Sequence, residues 1–335
     1  MHKGNVIKCP CCYSGDYYTQ YKIDVDEAAN ELSSSDEKQI VDRIAEIIRN
    51  LWGRDYAKWN ICRNCGNGFA DPFKAFDSEY YTIAYTTDVF YTPWKWEYEK
   101  VYRIIKRLNS KSLHLLEIGA GNGTFVTKIS EELIDRKNIL TTEYSDFGIN
   151  EIISKGISCT PKSILELNIE GNRNRFDIVC MFQVFEHMDR LDDVFENINR
   201  ISKQGSDLFI AVPSHKQREF YFSLGKSLDF PPGHISCFSP TSMNIISERH
   251  GWKLFSNFYQ PTRKRFQTYQ LLTEWLGRHV KLEKKLHELG PNIVRRIIIH
   301  IVLTIVGMCK LGVLLRLNLG RYGVSHLFWL KKIEK

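Results

Sequence analysis

The chain has 335 residues, of which 43% are hydrophobic and 25% charged. These proportions exclude a disordered chain and a polytopic membrane protein, and the length suits two domains or one large domain with appendages. The formal charge of +7 is local in origin: residues 261–321 hold twelve Lys+Arg against three Asp+Glu, while the remainder carries a balance of −2.

Five of the nine cysteines (Cys9, Cys11, Cys12, Cys62 and Cys65) lie in the first 65 residues. The opening Met1–Lys8 has no apolar core of the secretory type, so a reducing, cytoplasmic setting is expected. There, Cys9-Pro-Cys-Cys12 and Cys62-Arg-Asn-Cys65-Gly66 read as two C-x-x-C pairs whose four thiolates enclose one structural Zn²⁺, with Cys11 a spectator. Gly66 would relieve a turn at positive φ. The alternatives are metal-free reduced thiols or a redox pair. The spacer Tyr13–Ile61 is 49 residues, long for a zinc ribbon. A helix accounts for the excess: Ser34–Glu37 reads as a capping box, followed by Ile40, Val41, Ile44, Ile47, Ile48 and Leu51 at helical spacing.

Leu113–Ile118 suits a buried strand, Gly119, Gly121 and Gly123 a glycine turn, and Thr124 to about Leu133 a helix. Strand, glycine turn and helix open a doubly wound α/β domain. Thr124 stands where a dinucleotide fingerprint needs a small residue, and Glu117 would repel a pyrophosphate but attract a cationic amino-acid or sulfonium group. A second strand, Asn138–Thr142, ends at Glu143, placed to accept two ribose hydroxyls. A third strand is expected at Gly156–Thr160 and a fourth at Arg175–Phe182, ahead of Gln183-Val-Phe-Glu186-His187. Then come a helix over Leu191–Ser202, a turn at Lys203–Ser206 and a fifth strand, Asp207–Val212. Alternation on this scale indicates a mostly parallel sheet.

The segments Leu-Glu-Ile-Gly-Ala-Gly-Asn-Gly-Thr-Phe, Phe-Asp-Ile-Val-Cys-Met-Phe-Gln-Val-Phe-Glu-His and Gly-His-Ile-Ser-Cys-Phe-Ser-Pro resemble class I S-adenosylmethionine-dependent methyltransferases of the ubiquinone-type and glycan-cluster group. The cysteine pairs, followed by Tyr80-Tyr81, resemble a zinc-knuckle leader of some bacterial members. The likeness implies a Rossmann-like seven-stranded sheet with an antiparallel last strand, in which Glu117, Gly119, Gly121, Gly123 and Glu143 bind the cofactor. Gln183 would face the transferred methyl group. In some relatives an E-x-x-E-H stretch binds a divalent metal. Gln183 replaces its first Glu, so no catalytic magnesium is expected. The acidic residue that contacts adenine in the family is not evident at Ser163–Leu165. His187, and His234 in Pro231-Pro-Gly-His234, are the candidate bases, because histidine titrates near neutrality.

Ile297–Leu315 is nearly continuous apolar sequence. Tyr322–Lys331 resembles the family's final strand, and its return to the sheet would rule out a single membrane span. The basic, apolar insert then suits either an anionic membrane surface, at the inner face of the membrane, or a helical cap or dimer face. The expected organisation is a zinc-knuckle domain over 1–75, a methyltransferase domain over 76–260, the insert over 261–320 and the last strand over 321–335. The expected acceptor is a hydroxyl or other nucleophile of a sugar, glycan or lipid-linked small molecule. RNA methylation is the alternative, disfavoured by the acidic N-terminal helix (Asp36, Glu37, Asp42, Glu46), and a non-catalytic scaffold is the third reading.

Overall fold

In the computed structural model, the described residues are 7–33, 38–76, 94–167, 169–223, 231–261 and 322–333. The chain divides into a unit of residues 1–259 and 324–335 and a second unit, 260–323, nearly all of it outside the described residues. The capping box at Ser34–Glu37, Tyr80-Tyr81 and the apolar stretch 297–315 also lie outside them. Among the described residues, no helix is long and apolar enough to cross a membrane.

The larger sheet has seven strands: β4 (Leu115–Ile118), β5 (Ile139–Thr142), β6 (Ser158–Thr160), β7 (Phe176–Phe182), β8 (Ser202–Pro213), β10 (Trp252–Pro261) and β11 (Tyr322–Lys332), in the order β10-β11-β8-β7-β4-β5-β6. From β8 to β6 all pairings are parallel. β11 runs antiparallel to β8, with Ser325 opposite Pro213 and Lys331 opposite Asp207, so the chain does return to the sheet. The central strands are buried on both faces, which explains their unbroken apolar runs.

One face of the sheet packs against α6 (Leu191–Ile201) and α8 (Pro240–Arg249). The other packs against α3 (Trp96–Leu108), α4 (Thr124–Glu132) and α5 (Asp146–Ser154). Lys203–Ser206, expected as a turn, belongs instead to β8, which begins at Ser202. Gly205 at φ 71° and a register shift between Phe176 and Ile178 let the strand pass the irregularity without ending.

The amino-terminal residues build a second sheet from β1 (Tyr17–Asp24), β2 (Tyr56–Cys62) and β3 (Gly68–Asp71). Its fourth strand, β9 (Ser236–Cys237), comes from far along the chain. α1 (Val25–Leu32) and α2 (Lys38–Trp52) pack against each other through Ala28, Ala29, Ile44, Ile47 and Ile48. The periodic residues thus form a helix where expected. Cys9, Cys11, Cys62, Cys65 and Phe69 join the same apolar cluster as Val179, Met181 and Ile210 of the large sheet, so the knuckle packs directly on the α/β core.

Candidate active site

Parallel pairing brings Glu117, Glu143 and Gln183 to the carboxyl ends of neighbouring strands, where open α/β sheets bind ligands. Between Glu117 and α4 the glycine turn adopts left-handed backbone at Gly119 (φ 69°), Gly121 (φ 57°) and Gly123 (φ 73°). A side chain at Gly119 would also lie 2.6 Å from Val184 Cγ2. The turn is fastened to β5, because Gly119 and Ala120 both donate to the Thr142 carbonyl, at 2.9 and 3.0 Å.

Glu143 organises the second half of this cradle. Its Oε2 accepts from the Gly121 N–H at 2.7 Å, and its Oε1 from Tyr144 and Ser145 N–H at 3.0 and 2.9 Å. A carboxylate has about four acceptor positions, so capacity remains for a ligand hydroxyl. Gly148, unnoticed in the sequence, lets α5 approach: a Cβ there would stand 2.4 Å from the Gly121 carbonyl oxygen and 2.8 Å from Glu143 Cγ.

Glu117 is 1% exposed, and its Oε2 is buried without a hydrogen-bond partner among the described residues. Burial pushes its carboxyl well above the usual range; the Lys95 ammonium opposes this and the charge of Glu143 adds to it. A ligand cation would restore the carboxylate, as the ammonium and sulfonium of S-adenosylmethionine can.

Gln183 holds a left-handed backbone, φ 60°, unusual for its residue type, and its N–H donates to the Ala211 carbonyl at 2.7 Å. Its side-chain amide lies 3.3 Å from both Glu97 Oε1 and Ser325 Oγ. Glu97, 3% exposed, enters from α3 with Tyr98, whose ring packs 4.9 Å from Phe182. Neither was singled out in the sequence, since helix α3 is joined to the site only by tertiary contact. At Ser163–Leu165 no carboxylate is present, and the neighbouring Glu166 Oε2 accepts from Ser163 N–H and Oγ.

The structure brings the two candidate bases together. The rings of His187 and His234 lie 4.6 Å apart at 70°. His187 Nδ1 is 2.6 Å from the Gly233 carbonyl oxygen. A carbonyl only accepts, so in neutral His187 the proton sits on Nδ1 and Nε2 carries the lone pair. Fully buried Glu186 places Oε1 3.8 Å from that Nε2. One ligand atom each of Glu186, His187 and His234 falls within 4.8 Å of the others.

The four knuckle thiols converge likewise. Cys9 and Cys65 Sγ are 3.5 Å apart, as are Cys12 and Cys62 Sγ, and all four fall within 4.8 Å of one another. A tetrahedral ZnS₄ centre has sulfur–sulfur edges of about 3.8 Å. Gly66 has the positive φ that the turn requires, 69°. The neighbouring sulfurs, with the N–H groups of Cys12 and Cys11, hold the Cys9 thiol low, whereas burial raises that of Cys62 against the N–H groups of Cys65 and Asn64. Cys11 is fully buried, which pushes its thiol up.

The family model described as a methyltransferase domain matches residues 94–257. This segment is a methyltransferase domain. Its fold is that of the class I S-adenosylmethionine-dependent methyltransferases, with the antiparallel last strand supplied from beyond the matched segment. A mitochondrial ubiquinone biosynthesis O-methyltransferase of Dictyostelium discoideum is 26% identical over an alignment of 126 positions that covers 34% of this chain. The chain spans 39% of the length of that curated relative. Among solved structures, an S-adenosylmethionine-dependent methyltransferase from Archaeoglobus fulgidus aligns at 17% identity and TM-score 0.44, covering 70% of this chain and 94% of that one. A sarcosine dimethylglycine methyltransferase from Galdieria sulphuraria aligns at 14% identity and TM-score 0.41, covering 70% and 84%.

Proposed function

We propose that the chain transfers the methyl group of S-adenosylmethionine to a hydroxyl of a small molecule, a sugar or lipid-linked acceptor, with His187 and His234 handling the proton. The observation that carries this reading is Glu117: a buried carboxyl with an oxygen that has no hydrogen-bond partner among the described residues, at the tip of a central strand beside a glycine turn pinned by Glu143. When bound, the cofactor supplies an already activated methyl group. The protein's task is then to hold the acceptor in line and to remove its proton.

Residue roles follow from position. Gly119, Gly121 and Gly123 let the backbone approach the ligand, Glu117 meets its cationic end, and Glu143 offers its remaining lone pairs to ribose hydroxyls. Gln183, fixed by Glu97 and Ser325, borders the reacting side. His187 Nε2 accepts the acceptor's proton, the Glu186 carboxyl lies 3.8 Å from that nitrogen, and His234 lies against the same ring. The acceptor class is supported by this histidine pair, which suits hydroxyl deprotonation, and by the likeness to a ubiquinone biosynthesis O-methyltransferase. The four cysteines hold a structural zinc ion, because four thiolates leave no coordination position for substrate.

Calorimetric titration of the full chain with S-adenosylmethionine tests the cofactor assignment. One-to-one binding that Glu143→Ala weakens at least tenfold is expected; binding unchanged by that substitution would sink the assignment.

A further inference from the structure

The loop that carries His234 is built onto the cysteine knuckle. Cys65 is followed within three residues by β3, and β3 pairs with β9, which starts two residues after His234. In that ladder Gly68 lies opposite Cys237 and Phe69 opposite Ser236, and Ala70 N–H donates to the Ile235 carbonyl at 2.9 Å. A side chain at Gly68 would stand 3.1 Å from Cys237 Cβ, so the two strands meet closely. On its other side the loop grips the segment after β7: Ile235 N–H donates to the Glu186 carbonyl at 3.0 Å, and the Gly233 carbonyl accepts from His187 Nδ1.

Ser239 closes this connection. Its hydroxyl, 8% exposed, donates to the Cys65 carbonyl at 2.6 Å across 174 residues, and the same oxygen caps α8 by accepting from Ser242 N–H at 3.0 Å. The Ser242 hydroxyl completes a capping box by accepting from Ser239 N–H at 2.9 Å, and its hydrogen bonds run to Ser239. A helix cap needs only the second of the two bonds made by the Ser239 hydroxyl. The first joins the peptide of a knuckle cysteine to the end of the loop that carries His234.

We infer that Ser239 and the β3–β9 ladder are a positioning device through which the four-cysteine knuckle sets the geometry of the His187–His234 pair. The inference rests on the proposed reading for what the pair does, but not for how it is held. Zinc in the knuckle would fix the Cys62–Gly66 turn, the turn would fix β3 and the Cys65 carbonyl, and those would fix the loop at 231–237. The knuckle then acts on the reaction at a distance, without supplying a ligand or a proton.

The test follows the imidazole cross-peaks of His187 and His234 in ¹H–¹³C spectra of the full chain, assigned with His187→Gln and His234→Gln. Spectra are compared between zinc-loaded and zinc-stripped protein, and between Ser239→Ala, Ser239→Thr and Ser242→Ala. Both peaks should shift or broaden on zinc removal and in Ser239→Ala with its zinc retained. Ser239→Thr should restore them, and Ser242→Ala, which weakens the same cap, should leave them in place. S-adenosylmethionine affinity, measured in parallel, should stay within about twofold in Ser239→Ala, since Glu117 and Glu143 are untouched. Unmoved histidine peaks in Ser239→Ala would overturn the inference, and so would the same pattern in Ser242→Ala, because helix fraying would then explain it. Absence of cofactor binding in the unmodified chain would instead overturn the proposed function and leave the coupling standing.

Discussion

The Glu143 carboxylate and the Gly121 N–H, 22 residues apart, meet at 2.7 Å and lock the glycine turn to the end of β5. With Tyr144 and Ser145, three N–H groups converge on one side chain, and all of them are donors. An amide in its place must turn an NH₂ toward at least one of them. Glu143→Gln is therefore expected to weaken S-adenosylmethionine binding about tenfold and to lower the melting temperature, as loss of a charge-assisted bond of roughly 1.5–3 kcal/mol implies. Calorimetry and thermal denaturation read the two effects separately.

If Glu117 meets the cationic end of the cofactor as proposed, binding is a proton-linked event. Its carboxyl is raised by burial, so the free protein holds a proton there at pH values where an exposed glutamate would not. A cationic ligand favours the carboxylate and releases that proton, so affinity should rise with pH up to the raised value and level off above it. Titrations at pH 6 in buffers of different ionisation enthalpy should show proton release in the unmodified chain and none in Glu117→Gln. Equal release in both would assign the proton to another group.

Two glycines separate packing from backbone strain. Gly148→Ala drives a methyl group against the Gly121 carbonyl and the Glu143 side chain, whereas Gly205→Ala meets nothing within 4 Å and strains only a backbone at φ 71°. Both should lose stability, by about 1–3 kcal/mol for overpacking and about 1–2 kcal/mol for left-handed strain. Only Gly148→Ala should also lose cofactor affinity, which denaturant melts with and without S-adenosylmethionine can resolve.

His215 and His326 should make the fold sensitive to acid. They are 7% and 0% exposed, and burial pulls their imidazoles down to about 4 and about 2. Unfolded histidine titrates near 6.5. Below that pH the unfolded chain takes up protons that the native chain refuses, so stability falls as pH falls, by about 1.4 kcal/mol per pH unit for each histidine down to its native value. His326→Gln should flatten the decline between pH 6 and 4. An unchanged slope would mean that His326 protonates without unfolding.

Metal analysis of the purified chain should find one zinc ion. Cys62→Ser should remove it and Cys11→Ala should retain it, since Cys11 lies outside the set of four converging thiols. Loss of zinc in Cys11→Ala would make Cys11 part of the centre.

The strand, turn and helix proposed to hold the cofactor were legible in the sequence because they are local, between Leu113 and Leu133, with Glu143 at the next strand end. Contacts between distant segments were not legible. Glu97 on α3 and Gly148 on α5 reach the cradle only through packing, and their spacing carries no signature of it. The turn expected at Lys203–Ser206 failed for a physical reason, since a left-handed glycine can sit in a bulge as well as in a turn. His187 and His234 were each legible as candidate bases, but they meet through a tertiary contact, His187 Nδ1 with the Gly233 carbonyl 46 residues on, that their spacing does not signal.

The most direct test of the central claim is transfer itself. Purified chain, methyl-labelled S-adenosylmethionine and a whole-cell extract are incubated, and the products are separated into small-molecule, lipid, nucleic-acid and protein pools. Label should enter the small-molecule or lipid pool, at a rate that falls at least a hundredfold in His187→Gln/His234→Gln. Label in the nucleic-acid pool, or none in any pool while the cofactor binds one-to-one, would contradict the account.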